Sequence, residues 1–429
     1  MKESYTDRSM APAVHALSPM TLPPATTTLL DNGIKLHTLS GGKSAVSRIK
    51  IILPGGLVES DRPGLMRMAG NLMLEGSKSY PGNTLSETLE YNGAWTGIDM
   101  ATHHSMLNLY CINRSYESLL PISAEMVTHP LYEPEAVSQA LQAEAARLEV
   151  ERHKVAYKAS VAMNAMIYGK DHPLAADPEP DELLSITPEM LRHSHSRRLD
   201  PEGMHVYLSG LLTDDMIEQA VRVFSSIPPS EPYPLRDMQF AHHLVGERRH
   251  ISMPESKQSA VRMVIPVIGR EHPDYVPLRM AVIALGGYFG SRLMLNIRED
   301  KGLTYGISSA LIGYRNSGFL SISSQTDHTT VEELIDETIS EIERMKNPSS
   351  YTADEIDRLS RYVLSELAGV LDTPFTRTDF LSTEITASTP PGYFEMQQEA
   401  ARAASAGTLA EMARRYFDTG RLFIATAGR

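Results

Sequence analysis

Two similar α+β sandwich domains, each a mainly antiparallel sheet with helices packed on one face, are the architecture this sequence predicts. Three observations carry that prediction. The chain has 429 residues, 42% hydrophobic and 22% charged, enough for about two to four globular domains. A segment from Ser44, SAVSRIKIILPGGLVESDRPGLMRMAGNLML, is echoed from Ser259 by SAVRMVIPVIGREHPDYVPLRMAVIALGG. Each begins Ser-Ala-Val, continues as an apolar strand, turns at glycine with an acidic residue, and reaches proline and an apolar helix. The offset is half the chain, so a duplicated domain is indicated rather than a solenoid, whose repeats run ~20–50 residues. Finally, runs of strands lie beside runs of helices in both halves, the pattern of an α+β layer structure.

The elements follow in order. Residues 1–24 are rich in Pro, Ser and Thr and read as an extended arm. The N-terminal domain, 25–226, opens with the strands NGIKLHTLS and SRIKIILPG. PGLMRMAGNLMLEGS, Pro63 to Ser77, reads as a helix, with proline fixing φ for the first turn and Leu and Met giving wide apolar coverage. Its centre is odd. Arg67 and Asn71 form a polar pair one turn apart, and Gly70 costs roughly 1 kcal/mol relative to Ala. TLSETLEYNG is a helix stopped by Asn92-Gly93. The strand HHSMLNLYCI follows, then the helices YESLLPISAEMVTHP and EPEAVSQALQAEAARLEVERHKVA, then a closing strand, PEGMHVYLSG. Prolines 228, 229, 232 and 234 mark a linker over 227–250. The C-terminal domain, 251–429, supplies the strand LSISSQT, two amphipathic helices from Thr330 and Thr352, and the closing strand RLFIATAG.

Composition excludes several functions. A net charge of −13 repels phosphates and argues against nucleic acid as a partner. The single cysteine, Cys111, rules out a disulfide framework and a zinc site built from cysteines. It lies in a strand-like run, where a buried structural thiol is expected. No apolar run reaches ~18 residues, so no membrane span is expected. The first 28 residues lack the apolar segment of a signal peptide, which makes the cytoplasm the default location. A leader outside this sequence would instead direct the chain to the periplasm.

Few constellations offer chemistry. His103 and His104 are adjacent in a strand, where neighbouring side chains point to opposite faces. His193 and His195 have no carboxylate cluster nearby, and His242 and His243 fall in the Pro-rich linker. No H-x-x-x-H pair occurs. There is no nucleophile elbow, and GGYFGSR lacks the following Lys-Ser/Thr of a phosphate cradle. The strongest local signal is LGGYFGSRLMLNIREDKGLTYGISS, Leu285 to Ser309. Here Arg298 and Tyr305 stand near the start of a strand and could both address a bound peptide carbonyl. On physics alone, a solvated helix end with Arg–Glu pairing is the favoured account of the same residues.

LLDNGIKLHTLS, GGLVES, GLMRMAGNLMLEGS, DHPLA and the Leu285–Ser309 block occur in the order found in the pitrilysin and insulinase-like metallopeptidases, and the chain resembles that family from about Ala25 to Arg429. The likeness is greatest to the mitochondrial-processing-peptidase branch. The resemblance implies that Arg298 and Tyr305 grip a substrate carbonyl. In active members the first helix carries the inverted zinc motif H-x-x-E-H. Two histidines at i, i+4 bind Zn²⁺, and the glutamate activates the metal-bound water. Here those positions are Arg67, Gly70 and Asn71: a cation, no side chain, and a poor zinc ligand. The distal third ligand falls near Arg147 or Leu148, with Glu144 and Glu149 close by.

The resemblance therefore implies a non-catalytic subunit without zinc. A homologous sister chain with an intact H-x-x-E-H would supply zinc and general base, as a heterodimer enclosing an extended peptide. Alone, the chain would pair with itself. The −13 charge would favour basic peptides. A scaffold with no part in proteolysis, like the core subunits of the respiratory cytochrome complex that share this fold, is the alternative. No sequence feature supports a hydrolase using some other site.

Overall fold

The computed structural model describes residue 9, residues 17–236 and residues 245–429. The first half forms a sheet from β1 (Thr26–Leu29), β2 (Lys35–Ser40), β3 (Val46–Pro54), β4 (Trp95–Met100), β5 (His104–Ile112) and β6 (His205–Gly210). Its strand order is β1-β2-β6-β3-β5-β4. The second half forms a sheet from β7 (Arg248–Ser252), β8 (Gln258–Val267), β9 (Thr304–Gly313), β10 (Gly318–Asp327) and β11 (Phe423–Gly428), in the order β7-β11-β8-β10-β9. Apart from β1, the two sheets match strand for strand. Each has a single parallel pair, β2 with β6 and β7 with β11. The repeated Ser-Ala-Val leads into β3 in one half and lies in β8 in the other, the same central place.

The closing strands β6 and β11 end alike, at Gly210 (φ 127°) and Gly428 (φ 156°). A Cβ at Gly210 would meet the Val46 carbonyl oxygen at 2.2 Å, and one at Gly428 would meet the Ser259 hydroxyl at 2.1 Å. Both glycines are required by close approach to the central strand as well as by φ.

Each sheet packs its own helices on one face. In the first half, Ile49, Ile51 and Leu53 of β3 and Leu107, Leu109 and Cys111 of β5 bury against the helix Tyr116–Thr128. Cys111 is a core thiol, pushed up to about 12 by burial. The opposite face of each sheet receives a helix from the other half. The helix Val155–Tyr168 lays Ala162, Met163, Met166 and Ile167 on Val264, Phe319, Phe423 and Ala425 of the second sheet. Its small residues allow this: Ala159 meets Ala260 and Ala427. In return, Leu381, of the helix Pro374–Leu381, and Ile385 pack on Leu39, Ile52, Met106 and Tyr207 of the first sheet. Burying each large apolar side chain is worth about 1.5–3 kcal/mol, so the two halves hold each other.

That second contact has a polar centre. Arg48 and Lys50, both buried on β3, reach Asp379 at 2.7 and 3.1 Å. Lys50 also donates to Ser382, and Arg48 to Asn108. The two cations hold the Asp379 carboxyl below its usual range against its own desolvation.

Several segments differ from the sequence expectations. The run EPEAVSQALQAEAARLEVERHKVA is two helices, Pro134–Arg152 and Val155–Tyr168. Lys154 is extended between them (φ −88°, ψ 131°), which frees the second to cross to the other half. The helix expected from Pro63 begins at Leu65, because Gly64 turns left-handed (φ 80°), and it becomes a 3₁₀ turn at Leu72–Leu74. WTGIDM, in which Gly97 and Asp99 obscure any apolar alternation, forms the edge strand β4. His103 lies in the turn before β5 rather than within it. In the linker, Arg236 pairs with Asp61, and the Tyr233 amide donates to Asp200. His242 and His243 lie outside the described residues. No described helix is long and apolar enough to cross a membrane.

Candidate functional site

The Leu65–Asn71 helix fronts a cavity of about 790 Å³ lined by the first half, with Tyr314 alone contributed by the second. Gly64 sets its entry. A side chain there would be strained by φ and would also meet Leu183 Cδ2 at 2.4 Å. Leu65, Met68 and Ala69 pack into a small core with Leu141 and Leu148 of the Pro134–Arg152 helix. The Tyr132 hydroxyl, buried there, donates to the Ala69 carbonyl at 2.8 Å.

Arg67, Gly70 and Asn71 have distinct surroundings. Arg67 lines the cavity, exposed and without a partner among the described residues. Asn71 is exposed but does not line it. Gly70 is buried against β4. A Cβ there would meet Met100 Sδ at 2.9 Å and Ile98 Cγ2 at 3.2 Å. The space a side chain at position 70 would need is thus taken by β4 side chains, which explains the glycine. The distal position lies across the same cavity, where Glu144, Arg147 and Leu148 line the wall. Arg147 holds Glu144 in a two-pronged ion pair, with Nε to Oε2 at 2.7 Å and Nη2 to Oε1 at 2.5 Å. Glu149 is exposed and does not line the cavity. Among the described residues, no group of three or more His, Cys, Asp or Glu is placed to hold a metal ion.

Arg298 and Tyr305 are neighbours in the second half but do not line the cavity at Arg67. Arg298 sits on a π-helical turn, Met294–Asp300, a local irregularity frequent at functional positions. Its Nε donates to the Tyr305 carbonyl at 3.1 Å, its guanidinium pairs with Glu299, and it lies over the Phe289 ring, 4.7 Å from the centre. Tyr305 and Gly306 of β9 face the single residue Gln325 of β10, a β-bulge between the pairs Thr304–Thr326 and Ile307–Ser324. The Thr304 hydroxyl accepts from the Gly306 amide and donates to the Gln325 carbonyl, so the bulge's polar groups are met. A bulge re-aims a side chain. Tyr305 is 93% exposed and borders a polar groove of about 460 Å³ with Arg262, Ser308 and Ser323. β9 is the last strand of its sheet, so no described strand pairs with its outer side. Arg292, in the same sequence block, is structural. It pairs with Glu355 at 2.6 Å and lies 3.9 Å from the centre of the Tyr351 ring.

Some histidines have roles the spacing did not reveal. His103 Nδ1 is 2.7 Å from the fully buried Glu59 carboxylate. His195 is core, with Nε2 donating to the Val127 carbonyl at 2.6 Å. His37 and His205 lie edge to edge with parallel rings, joined at 2.9 Å between Nε2 and Nδ1. Only the pairing of β2 with β6, which joins residues far apart in the chain, could have shown this.

With this geometry in view, the relatives are informative. The family model described as Peptidase M16 inactive domain matches residues 185–362. A Rickettsia bellii protein described as an uncharacterized zinc protease is 23% identical over 323 residues, 71% of this chain and 73% of that protein. A Helicobacter pylori protein described as a non-peptidase homolog is 20% identical over 321 residues, 72% of each chain. The crystal structure of a peptidase M16 inactive domain from Pseudomonas fluorescens has the same fold, with a TM-score of 0.85 at 22% identity, covering 94% of this chain and 98% of that one. Residues 185–362 thus match the M16 inactive-domain model, and the whole chain is similar in fold to a solved M16 inactive domain, the insulinase-like group its motifs resemble.

Proposed function

We propose that this chain is the zinc-free subunit of a two-chain peptidase. A homologous sister carrying H-x-x-E-H supplies the metal and the general base. This chain contributes Arg298 and Tyr305, which hold the carbonyl of an extended peptide in a chamber enclosed by the two. The observation that carries the reading is the bulge at Tyr305–Gly306. It turns a phenol fully outward on the outermost strand of the sheet, with Arg298 fixed to the same backbone. An extended peptide adds to such an edge by main-chain hydrogen bonds. A phenol and a guanidinium beside it can stabilise negative charge developing on the carbonyl oxygen polarised by the sister's zinc. Arg67, Gly70 and Asn71 offer no ligand set for zinc within this chain.

The scaffold reading draws on one observation. The Arg298 guanidinium is already engaged by Glu299 and Phe289, as a purely structural residue would be. Reconstitution separates the two readings. Peptide cleavage is measured for this chain, for the sister, and for their mixture, with wild-type and Arg298→Ala or Tyr305→Phe chains. The proposal expects cleavage in the mixture alone and slower turnover with either variant. Unchanged turnover with both variants would leave only the scaffold.

A further inference from the structure

The cavity that fronts the degenerate zinc helix is not an empty remnant. At about 790 Å³ it lies in the size range of small-ligand pockets. Most of its carboxylates are already engaged: Glu144 by Arg147, Asp177 by Arg152, and Asp61 by Arg236. Glu182 accepts from the Glu179 amide at its own helix start. The donors are not used up in the same way. Arg67 and Lys170 have no partner among the described residues, and Arg62 donates only to Ser185 and Met190.

The DHPLA segment adds a further donor. His172 stacks on Tyr168 with ring centres 5.0 Å apart, and its Nδ1 accepts from the Leu174 amide at 3.1 Å. Burial lowers its pKa, so the ring is neutral and carries its proton on Nε2. That N–H has no partner among the described residues, and His172 lines the cavity. Two arginines, a lysine and an imidazole N–H therefore border one space. Asp171 is the acid there left without a partner among the described residues.

We propose that this pocket binds the C-terminal carboxylate of a peptide, with Arg67 as its principal charge partner. The inference rests on the reading of this chain as a peptide-binding subunit. It assigns the site a second contact with the peptide, away from Arg298 and Tyr305. An arginine at the first zinc position replaces a metal that polarises a peptide carbonyl with a cation that holds a free carboxylate. Guanidinium suits that task because it presents a planar fork of donors.

The test uses the purified full chain without its sister. A fluorescently labelled tetra-alanine peptide is titrated as the free acid and as the C-terminal amide. A charge-assisted hydrogen bond pair predicts that the acid binds about tenfold more tightly. In Arg67→Gln that preference falls below about twofold, and in Arg67→Lys part of it returns. Equal binding of acid and amide by the wild type overturns the proposal, as does an undiminished preference in Arg67→Gln. Arg67 is exposed, so the variants fold, and a melting curve for each confirms it. The readout needs no catalysis. Loss of the carboxylate preference and failure of the mixed peptidase to depend on Arg298 are therefore separate outcomes.

Discussion

Replacing Gly70 by alanine asks whether β4 fills the space a side chain would need at that position of the helix. Two opposing effects set the size of the change. Alanine gains about 1 kcal/mol over glycine within a helix. Its methyl would meet Met100 Sδ at 2.9 Å and Ile98 Cγ2 at 3.2 Å, and overpacking a filled site costs about 1–3 kcal/mol. A net loss of about 1 kcal/mol is expected. With Met100→Ala in place the nearer clash is gone, and the same Gly70→Ala change becomes neutral or stabilising by about 0.5 kcal/mol. The coupling between the two positions is then about 1–1.5 kcal/mol, within the range for residues in contact. The assay is urea unfolding followed by the fluorescence of Trp95, the single tryptophan, which lies on β4 itself. An equal, stabilising shift in both backgrounds would refute the packing account of Gly70.

Other predictions follow from the same structure. Asp379→Asn leaves the buried Arg48 and Lys50 without a carboxylate. Because Asp379 is half-exposed, the loss falls below the roughly 3–5 kcal/mol of a fully buried pair, at about 2 kcal/mol, read as a fall in the urea midpoint. The buried histidines predict acid sensitivity. Burial lowers His37 and His104 to about 4 and His195 and His205 to about 3, against 6.5 in the unfolded chain. The unfolded chain therefore takes up protons first. Stability is complete above pH 6.5 and falls toward pH 4, by up to about 1.4 kcal/mol per pH unit for each histidine. A urea midpoint that is flat between pH 6.5 and 5 would contradict this.

The duplication could be read from the sequence because it rests on local signals. Ser44-Ala45-Val46 and Ser259-Ala260-Val261 precede apolar runs that become the central strands β3 and β8. The proline cluster and the Leu285–Ser309 block were equally visible. What escaped was set by contacts distant in sequence. Gly70 has no local reason to be glycine, since the side chains that exclude a Cβ come from β4, about thirty residues on. β4 itself shows little strand pattern, being an edge strand with Gly97 and Asp99. The exchange of helices between halves depends on a break at Lys154 within what reads as continuous helix. The bulge that turns Tyr305 outward is a matter of register with Gln325, which the sequence of one strand does not carry.

The central claim is that this chain completes a sister's active site through Arg298 and Tyr305 while holding no zinc. The most direct measurement is the rate of peptide cleavage by the reconstituted two-chain complex, together with the zinc content of each purified chain. The account predicts zinc in the sister alone, cleavage only in the mixture, and a fall in kcat of about 10²-fold for Arg298→Ala, the scale of losing one transition-state donor. Stoichiometric zinc in this chain, or full turnover by the mixture carrying both Arg298→Ala and Tyr305→Phe, would contradict it.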